Sequence, residues 1–398
     1  MISELTVTKN ICTVCSSTDI AKLIDIHQVP VHCNLLWTTS YEALNAPRGD
    51  ISLLFCKACG HIFNNLFDSV VMNYSQDYEN SLHFSPRFQD YARSLAEYLI
   101  ERYDLHNKDI IEIGCGKGEF LTLLCNLGGN RGIGFDKSYV HERTENEDRE
   151  RITFVQDFYS EHYKSYMADL ICCRHVLEHT NPPRDFLMNL HRTISGRLDT
   201  TVYFEVPNVL YTLKDLSIWD MIYEHCSYFN SLSLTQLLTS CGFKVIELKE
   251  NFGGQFLSVE TVPVDDLTDS KSFSKDELEK MNQYVNEFTI KYRSKVKEWK
   301  RNLEKFVNKG TRVLIWGGGS KGVTFMNILN IQDEIKYVVD INPHKQGMFI
   351  PGTGQRIVSP EFLREHRPEL IIVMNPIYVD EVSQITRNMN VKTKVVSV

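Results

Sequence analysis

The chain of 398 residues has no stretch approaching the roughly 18 consecutive apolar residues that a membrane-spanning helix requires. Its first ten residues, MISELTVTKN, lack the charged-then-apolar pattern of a secretory leader. Positive charge is not in excess: 43 Lys and Arg stand against 51 Asp and Glu, a formal net charge of −8. That balance argues against a nucleic-acid partner, whose phosphates select a basic face. The two stretches richest in basic residues, HERTENEDRER (141–151) and KYRSKVKEWKRNLEKFVNK (291–309), carry acids too and read as solvated helix faces. Internal repeats and low-complexity tracts are missing, which excludes a solenoid. Cysteine is plentiful. Eleven residues, an odd number without a leader, read as reduced thiols in a cytosolic protein.

Apolar residues make up 42% of the chain, the proportion of a water-soluble globular protein. The length exceeds one ordinary core. Patterning divides it into a cysteine-bearing block over 1–70, an alternating helix–strand block over 71–270, a long connecting helix over 271–310, and a second alternating block over 311–398. The connecting helix starts on a cap-like Ser274, ends at Gly310 and contains no proline.

Cys12-x-x-Cys15 and Cys56-x-x-Cys59 form two knuckles 40 residues apart. Two residues between thiolates let both sulfurs of a tight turn face one ion, and two such turns complete a tetrahedron around Zn²⁺. Gly60 follows the second pair, where a positive φ helps the turn close. A four-thiolate site has no open position, so the expected zinc is structural. His27, His32 and Cys33 lie between the knuckles as competing ligands.

KDIIEIGCGKGEFLTLLCNLGG (108–129) reads as a buried strand, a glycine turn and an amphipathic helix. A dinucleotide site wants G-x-G-x-x-G, with a pyrophosphate resting on the helix N-terminus. Here the third glycine position holds Glu119, a carboxylate facing where the pyrophosphate would lie. E-x-G-x-G-x-G fits instead, with Glu112, Gly114, Gly116 and Gly118. An acidic strand end suits the ammonium and sulfonium of S-adenosylmethionine, which carries no phosphate. RGIGFD then ends in Asp136, placed to accept from both ribose hydroxyls. Asp157 of ITFVQDF is placed to accept from the adenine amine, and His175 opens the segment after the fourth strand, ADLICCRHVLEHT. In this order the set resembles a class I S-adenosylmethionine-dependent methyltransferase over residues 85–265.

TRVLIWGGGSKGVTFMNIL (311–329) does satisfy G-x-G-x-x-G, with Gly317, Gly319 and Gly322. With IKYVVD and PELIIVMNP it reads as half of a dinucleotide fold. Two readings stand: Lys321 beside a phosphate at the helix start, or glycines kept only for helix–strand packing.

The order of these blocks resembles the nucleotide-sugar C-methyltransferase family, which methylates 4-keto-6-deoxyhexoses at C3. The tail carries the resemblance furthest, through WGGGSKGVTFMNIL, VVDINPHKQGMFIPGTGQRIVSPEFL and PELIIVMNP. The resemblance implies an α/β fold, with a class I methyltransferase Rossmann-like core, an N-terminal zinc-binding domain and a smaller C-terminal Rossmann-like domain. It implies a small-molecule substrate, a nucleotide-linked sugar lying between the second and fourth blocks. The family's Tyr-His-Glu-His-x-Ser-Tyr motif, with its last histidine as base, stands here as Ile222-Tyr223-Glu224-His225-Cys226-Ser227-Tyr228. His225 carries over as the base and Glu224 as its neighbour, whereas the leading tyrosine and first histidine do not. His179 matches the family histidine after the fourth strand, and Tyr78 an aromatic after the zinc block. Gln255 and Phe256 replace a Gly-Gly-Ser-x-Arg run. Ile222 cannot stabilise an enolate oxygen as a tyrosine hydroxyl does, so O- or N-methylation stands as the alternative.

Overall fold

The computed structural model describes residues 10–72, 75–141, 150–194, 196–265 and 275–398. The Ser274 cap and most of the 141–151 charged stretch lie outside the described residues.

The chain opens with strand β1 (Ile20–Pro30), a short helix α1 (Ser40–Leu44), β2 (Arg48–Cys56) and β3 (Ile62–Asn64). Cys56 ends β2 and begins the second knuckle, so the sheet and the cysteine cluster share a corner.

Helix α2 (Pro86–Tyr103) follows. Ser85 caps it by accepting from the Phe88 N–H, and Pro86 sits at its first position, where a missing N–H costs nothing. It buries Phe88, Ala92, Leu95, Ala96, Leu99 and Ile100, an apolar stripe at helical spacing. Next come β4 (Asp109–Ile113), α3 (Glu119–Gly128), β5 (Arg131–Phe135), β6 (Ile152–Val155), β7 (Leu170–Arg174), α4 (Pro183–Ile194), β8 (Thr201–Pro207), α5 (Val209–Lys214), the two-residue β9 (Ser227–Tyr228), α6 (Ser231–Ser240), β10 (Phe243–Asn251) and β11 (Phe256–Pro263). Seven of these strands form one sheet in the order β10-β11-β8-β7-β4-β5-β6, with β11 antiparallel to both neighbours. All five residues of β7 are buried, as expected of a strand covered on both faces. The order reverses beside β4, so the crevice beyond its carboxyl end is where an open α/β sheet takes ligands.

β9 joins the first sheet, not the second. Its pairing with β3 matches Ile62 to Tyr228 and Phe63 to Ser227. The 222–228 motif therefore lies on the seam between the cysteine-bearing sheet and the seven-stranded one.

Helix α7 (Lys275–Asn308) is a single helix about 50 Å long. Met281, Val285, Phe288 and Tyr292 form its buried stripe, in one apolar cluster with Leu23 of β1 and Trp219. It leads into β12 (Val313–Trp316), α8 (Ser320–Leu329), β13 (Tyr337–Val339), β14 (Arg356–Val358), α9 (Leu363–His366), β15 (Leu370–Val373), α10 (Val379–Asn388) and β16 (Lys394–Ser397). These five strands are all parallel, in the order β14-β13-β12-β15-β16. The sequence pattern gave three of them; β14 and β16 begin on Arg356 and Lys394 and lack a continuous apolar run. The first and last units dock directly: Phe349 N–H donates to the Trp37 carbonyl at 2.9 Å and Gly352 N–H to that of Ala43 at 2.7 Å. Among the described residues no helix is long and apolar enough to cross a membrane.

Candidate active site

One cavity of 830 Å³ lies where the three sheets meet. Its first wall is the carboxyl edge of β4 and β5. Gly114 and Gly116 turn there with φ of 71° and 55°. A Cβ at Gly114 would meet Val176 at 2.1 Å, whereas one at Gly116 would meet nothing within 4 Å, so Gly116 leaves room for a ligand. Gly118 departs from the sequence expectation. It does not line the cavity, and a Cβ on it would strike the Phe154 ring at 2.5 Å. Its part is packing α3 against β6, together with the positive φ of 88° at the start of α3.

Glu112 is buried at the end of β4 and lines the cavity, with its Oε2 accepting from the Leu121 N–H at 3.0 Å. Burial pushes its carboxyl up to about 8, with Glu119 and Asp136 adding to the effect and Arg174 opposing it. Asp136 follows β5, its two oxygens accepting from the N–H of Gly116 at 2.8 Å and of Ser138 at 2.7 Å. Asp157 lies farther along the same wall, with its carboxylate accepting from the Tyr163 hydroxyl at 2.8 Å and 3.2 Å from Lys137. The Tyr163 hydrogen bond, the Phe158 N–H and Lys137 hold Asp157 below the usual carboxylate range.

His175 follows β7 with a φ of 55° and reaches the cavity. Burial opposes its charge, but Glu178 at 3.7 Å and Glu205 at 3.2 Å outweigh that and hold it up to about 9. Glu205, fully buried on β8, also takes Arg174 at 2.9 Å and the Tyr91 hydroxyl. Burial works against this carboxylate, yet Arg174 and His175 bring it down to about 2.

The floor holds His179, His225, Tyr78, Ile222 and Tyr228. The His179 and His225 rings meet edge-on, with centroids 4.8 Å apart. His179 Nδ1 lies 3.0 Å from the backbone carbonyl of Glu224. Burial, followed by the nearby His179, His175 and Lys321, pushes His225 well below its ordinary value, so its ring is neutral near pH 7. The Tyr228 hydroxyl is committed to the Ile222 backbone, donating to its carbonyl at 2.9 Å.

Glu224 also departs from the expectation. Its side chain is fully buried outside the cavity lining, 3.5 Å from Nδ1 of His32. Neighbours in an irregular turn point apart, so the carboxylate lies behind the floor and does not face the cavity. Tyr223 likewise turns away, its hydroxyl accepting from the Asp68 N–H at 3.1 Å.

The opposite wall comes from the last sheet: Gly317, Gly319, Ser320, Lys321, Asp340 and Lys345. Asp340 repeats the geometry of Asp136, with its oxygens accepting from Gly318 N–H at 2.8 Å and Asn342 N–H at 2.9 Å. The two readings of this glycine turn divide by residue. Gly317, Gly319 and Gly322 all line the cavity, but Gly322 is also a packing glycine, since a Cβ there would meet the Gly317 carbonyl at 2.0 Å. Lys321 pairs with Asp220 across the cleft, and the buried Lys345 reaches Asn34 Oδ1 at 3.1 Å. Gln255 and Asn375 close one end of the cleft through a reciprocal amide pair at 2.9 and 3.0 Å. The sequence marks Gln255 as a departure from the family run, whereas Lys345, Asn34 and Asn375 went unread because nothing local marks them.

The four cysteines converge away from this cavity. Cys12 and Cys59 sulfurs lie 3.6 Å apart, as do those of Cys15 and Cys56. A tetrahedral Zn²⁺ with bonds of about 2.3 Å sets edges of roughly 3.8 Å, so the donor set fits the ion and leaves it closed. His27, His32 and Cys33 are not part of this cluster.

A family model described as a methyltransferase domain matches residues 84–248, and one described as a C-methyltransferase C-terminal domain matches residues 268–396. C-methyltransferase NovU of Streptomyces niveus is 23% identical over 393 residues, covering 93% of this chain and 90% of that protein. This chain is an S-adenosylmethionine-dependent methyltransferase with a C-terminal domain of the C-methyltransferase type. Among solved structures it is similar to magnesium protoporphyrin IX methyltransferase from Synechocystis, with bound S-adenosylhomocysteine. The TM-score is 0.35 at 16% identity, over 44% of this chain and 84% of that one. It is similar also to human N-acetylserotonin methyltransferase in complex with S-adenosylmethionine, with a TM-score of 0.32 at 18% identity, over 45% and 56%.

Both the C-terminal family model and the Streptomyces relative are described as C-methyltransferases, which favours carbon over oxygen or nitrogen as the acceptor atom. The acidic, phosphate-free wall of Glu112 and Asp136 fits a cofactor that is cationic and bears a ribose. S-adenosylmethionine supplies an electrophilic methyl group when bound. Glu112 is protonated in the free enzyme below about pH 8. A cationic ammonium beside it favours the carboxylate. Binding of S-adenosylhomocysteine at pH 7 is therefore expected to release a proton, and affinity to rise with pH until about 8. Calorimetry at pH 7 in two buffers of different ionisation enthalpy counts the protons. The same release from a Glu112→Gln chain would remove Glu112 as the source.

Proposed function

We propose that this C-methyltransferase is a cytosolic enzyme of four units (1–70, 71–270, 271–310 and 311–398) that methylates a nucleotide-linked keto-deoxysugar beside its ketone. The observation that carries this reading is a single cavity bounded by two glycine turns of opposite character. One is acidic, with Glu112 and Asp136; the other presents Ser320 and Lys321 at the start of a ten-residue helix. Such a helix start with a lysine suits a diphosphate. His225 lies on the floor between them.

On the methyl-donor side, Asp136 accepts from the ribose hydroxyls and Asp157 from the adenine amine. Phe158, 63% exposed on the same wall, offers a face to the adenine ring. His175, between Glu178 and Glu205, fixes the end of β7 beside Glu112.

On the acceptor side, the neutral His225 removes the proton from the carbon next to the ketone. The released electron pair moves through the new C=C bond onto the ketone oxygen, forming an enolate. The enolate carbon then attacks the methyl group in line, leaving S-adenosylhomocysteine. Tyr78, on the same floor, donates to the developing oxyanion in place of the tyrosine missing at 222. His179 holds the orientation of His225, and Glu224 holds His179 through its carbonyl. The Lys321–Asp220 pair opens for the diphosphate.

The test is methyl transfer from isotope-labelled S-adenosylmethionine to a panel of nucleotide-linked 4-keto-6-deoxyhexoses, read by mass spectrometry and NMR. Label on the carbon beside the ketone is expected. S-adenosylhomocysteine binding without label on any sugar of the panel would sink the acceptor assignment.

A further inference from the structure

The floor of the cavity carries a second metal-ligand constellation, separate from the cysteine cluster. Ligand atoms of Glu178, His179 and His225 all lie within 4.8 Å of one another. Glu178 is 2% exposed, lines the cavity, and its Oε2 has no hydrogen-bond partner. A buried carboxylate oxygen left in that state points to an absent partner. Its other oxygen is occupied at 3.7 Å by His175, which fixes the carboxylate plane.

His179 has the arrangement of a ligating histidine. Its Nδ1 faces the Glu224 carbonyl, which can only accept, so the proton sits on Nδ1 and Nε2 is the basic nitrogen. Metal-bound histidines are oriented in this way by a second contact through the other ring nitrogen. Two imidazoles and one carboxylate form a three-ligand set for a divalent transition-metal cation, with the fourth position open. Bonds of about 2.1 Å place tetrahedral ligand atoms roughly 3.4 Å apart, so the three ligand atoms, within 4.8 Å of one another, draw together when the ion binds.

We propose that Glu178, His179 and His225 form a zinc-type cation site inside the cavity. Occupancy uses the imidazole lone pair of His225 and therefore shuts off its proton-accepting role. The enzyme is then sensitive to free divalent metal, whatever its acceptor.

The test uses the full chain with its cysteine site loaded. Zn²⁺ is titrated by calorimetry with metal analysis, and Co²⁺ by visible absorption, in which thiolate charge-transfer bands mark the cysteine site apart from the second one. A second equivalent is expected in the unaltered chain. It should disappear in His179→Ala and weaken at least tenfold in Glu178→Gln, while both variants keep S-adenosylhomocysteine affinity as proof of folding. Filling the site should lower methyl transfer at least tenfold, reversibly on mild chelation. A single equivalent in the unaltered chain, or a second equivalent unchanged in both variants, overturns the site. Undiminished or raised turnover with the second equivalent bound overturns the claim that the metal takes the lone pair of His225.

Discussion

Replacing His225 by alanine is expected to lower methyl transfer by roughly 10²–10⁴-fold, the usual worth of a positioned general base. S-adenosylhomocysteine affinity should stay unchanged, because Glu112 and Asp136 stand on a different wall of the cavity. A variant keeping a tenth or more of the activity would return His225 to a structural role. The pH profile adds a reading that packing alone would not produce. Burial, followed by the nearby His179, His175 and Lys321, holds His225 well below 6.5 in the free enzyme. A base must be neutral to accept a proton, so kcat/KM should fall with acid only below pH 6.5. A bound diphosphate neutralises the field of Lys321 and raises the pKa of His225. The acid limb of kcat, which reports the complex, should then lie at higher pH than that of kcat/KM. Coincident limbs would argue against a phosphate beside Lys321.

Cys15→Ser tests a coupling that lies between units. Structural zinc adds on the order of 10 kcal/mol of binding energy to the fold it closes. Without it, the corner joining β2 to the knuckle loosens, and β3 loses its anchor. β3 pairs with β9, and β9 begins two residues after His225. Turnover should drop on the order of 100-fold, the cost of misplacing a catalytic group by about 1 Å. Cofactor affinity should persist, since the seven-stranded sheet does not contain β3 or β9. A metal-free Cys15→Ser chain with full turnover would show that the cysteine corner has no hold on the floor of the site.

What the sequence determined by itself was local chemistry. Each knuckle, the turn from Glu112 to Gly116 and the acids at 136 and 157 lie within a few residues of the glycine or strand that gives them meaning. Helix α7 was legible for the same reason, as an unbroken pattern without proline. The resemblance to a C-methyltransferase rested on such segments in order. What only the tertiary structure decided was direction and company. Glu224 and His225 are adjacent in sequence, yet one carboxylate is buried against His32 while the other side chain faces the cavity. Gly118 belongs to the motif but packs against Phe154. All three glycines of the second turn line the cavity, and Gly322 packs against the Gly317 carbonyl as well, a double part no motif expresses. His179 meets His225 because the Cys226 N–H donates to the Glu178 carbonyl and His179 Nδ1 faces the Glu224 carbonyl, joining segments 45 residues apart. Periodicity reports which face of an element is apolar. It carries no record of which distant strand completes the sheet, and here that pairing puts His225 between two walls of the cavity.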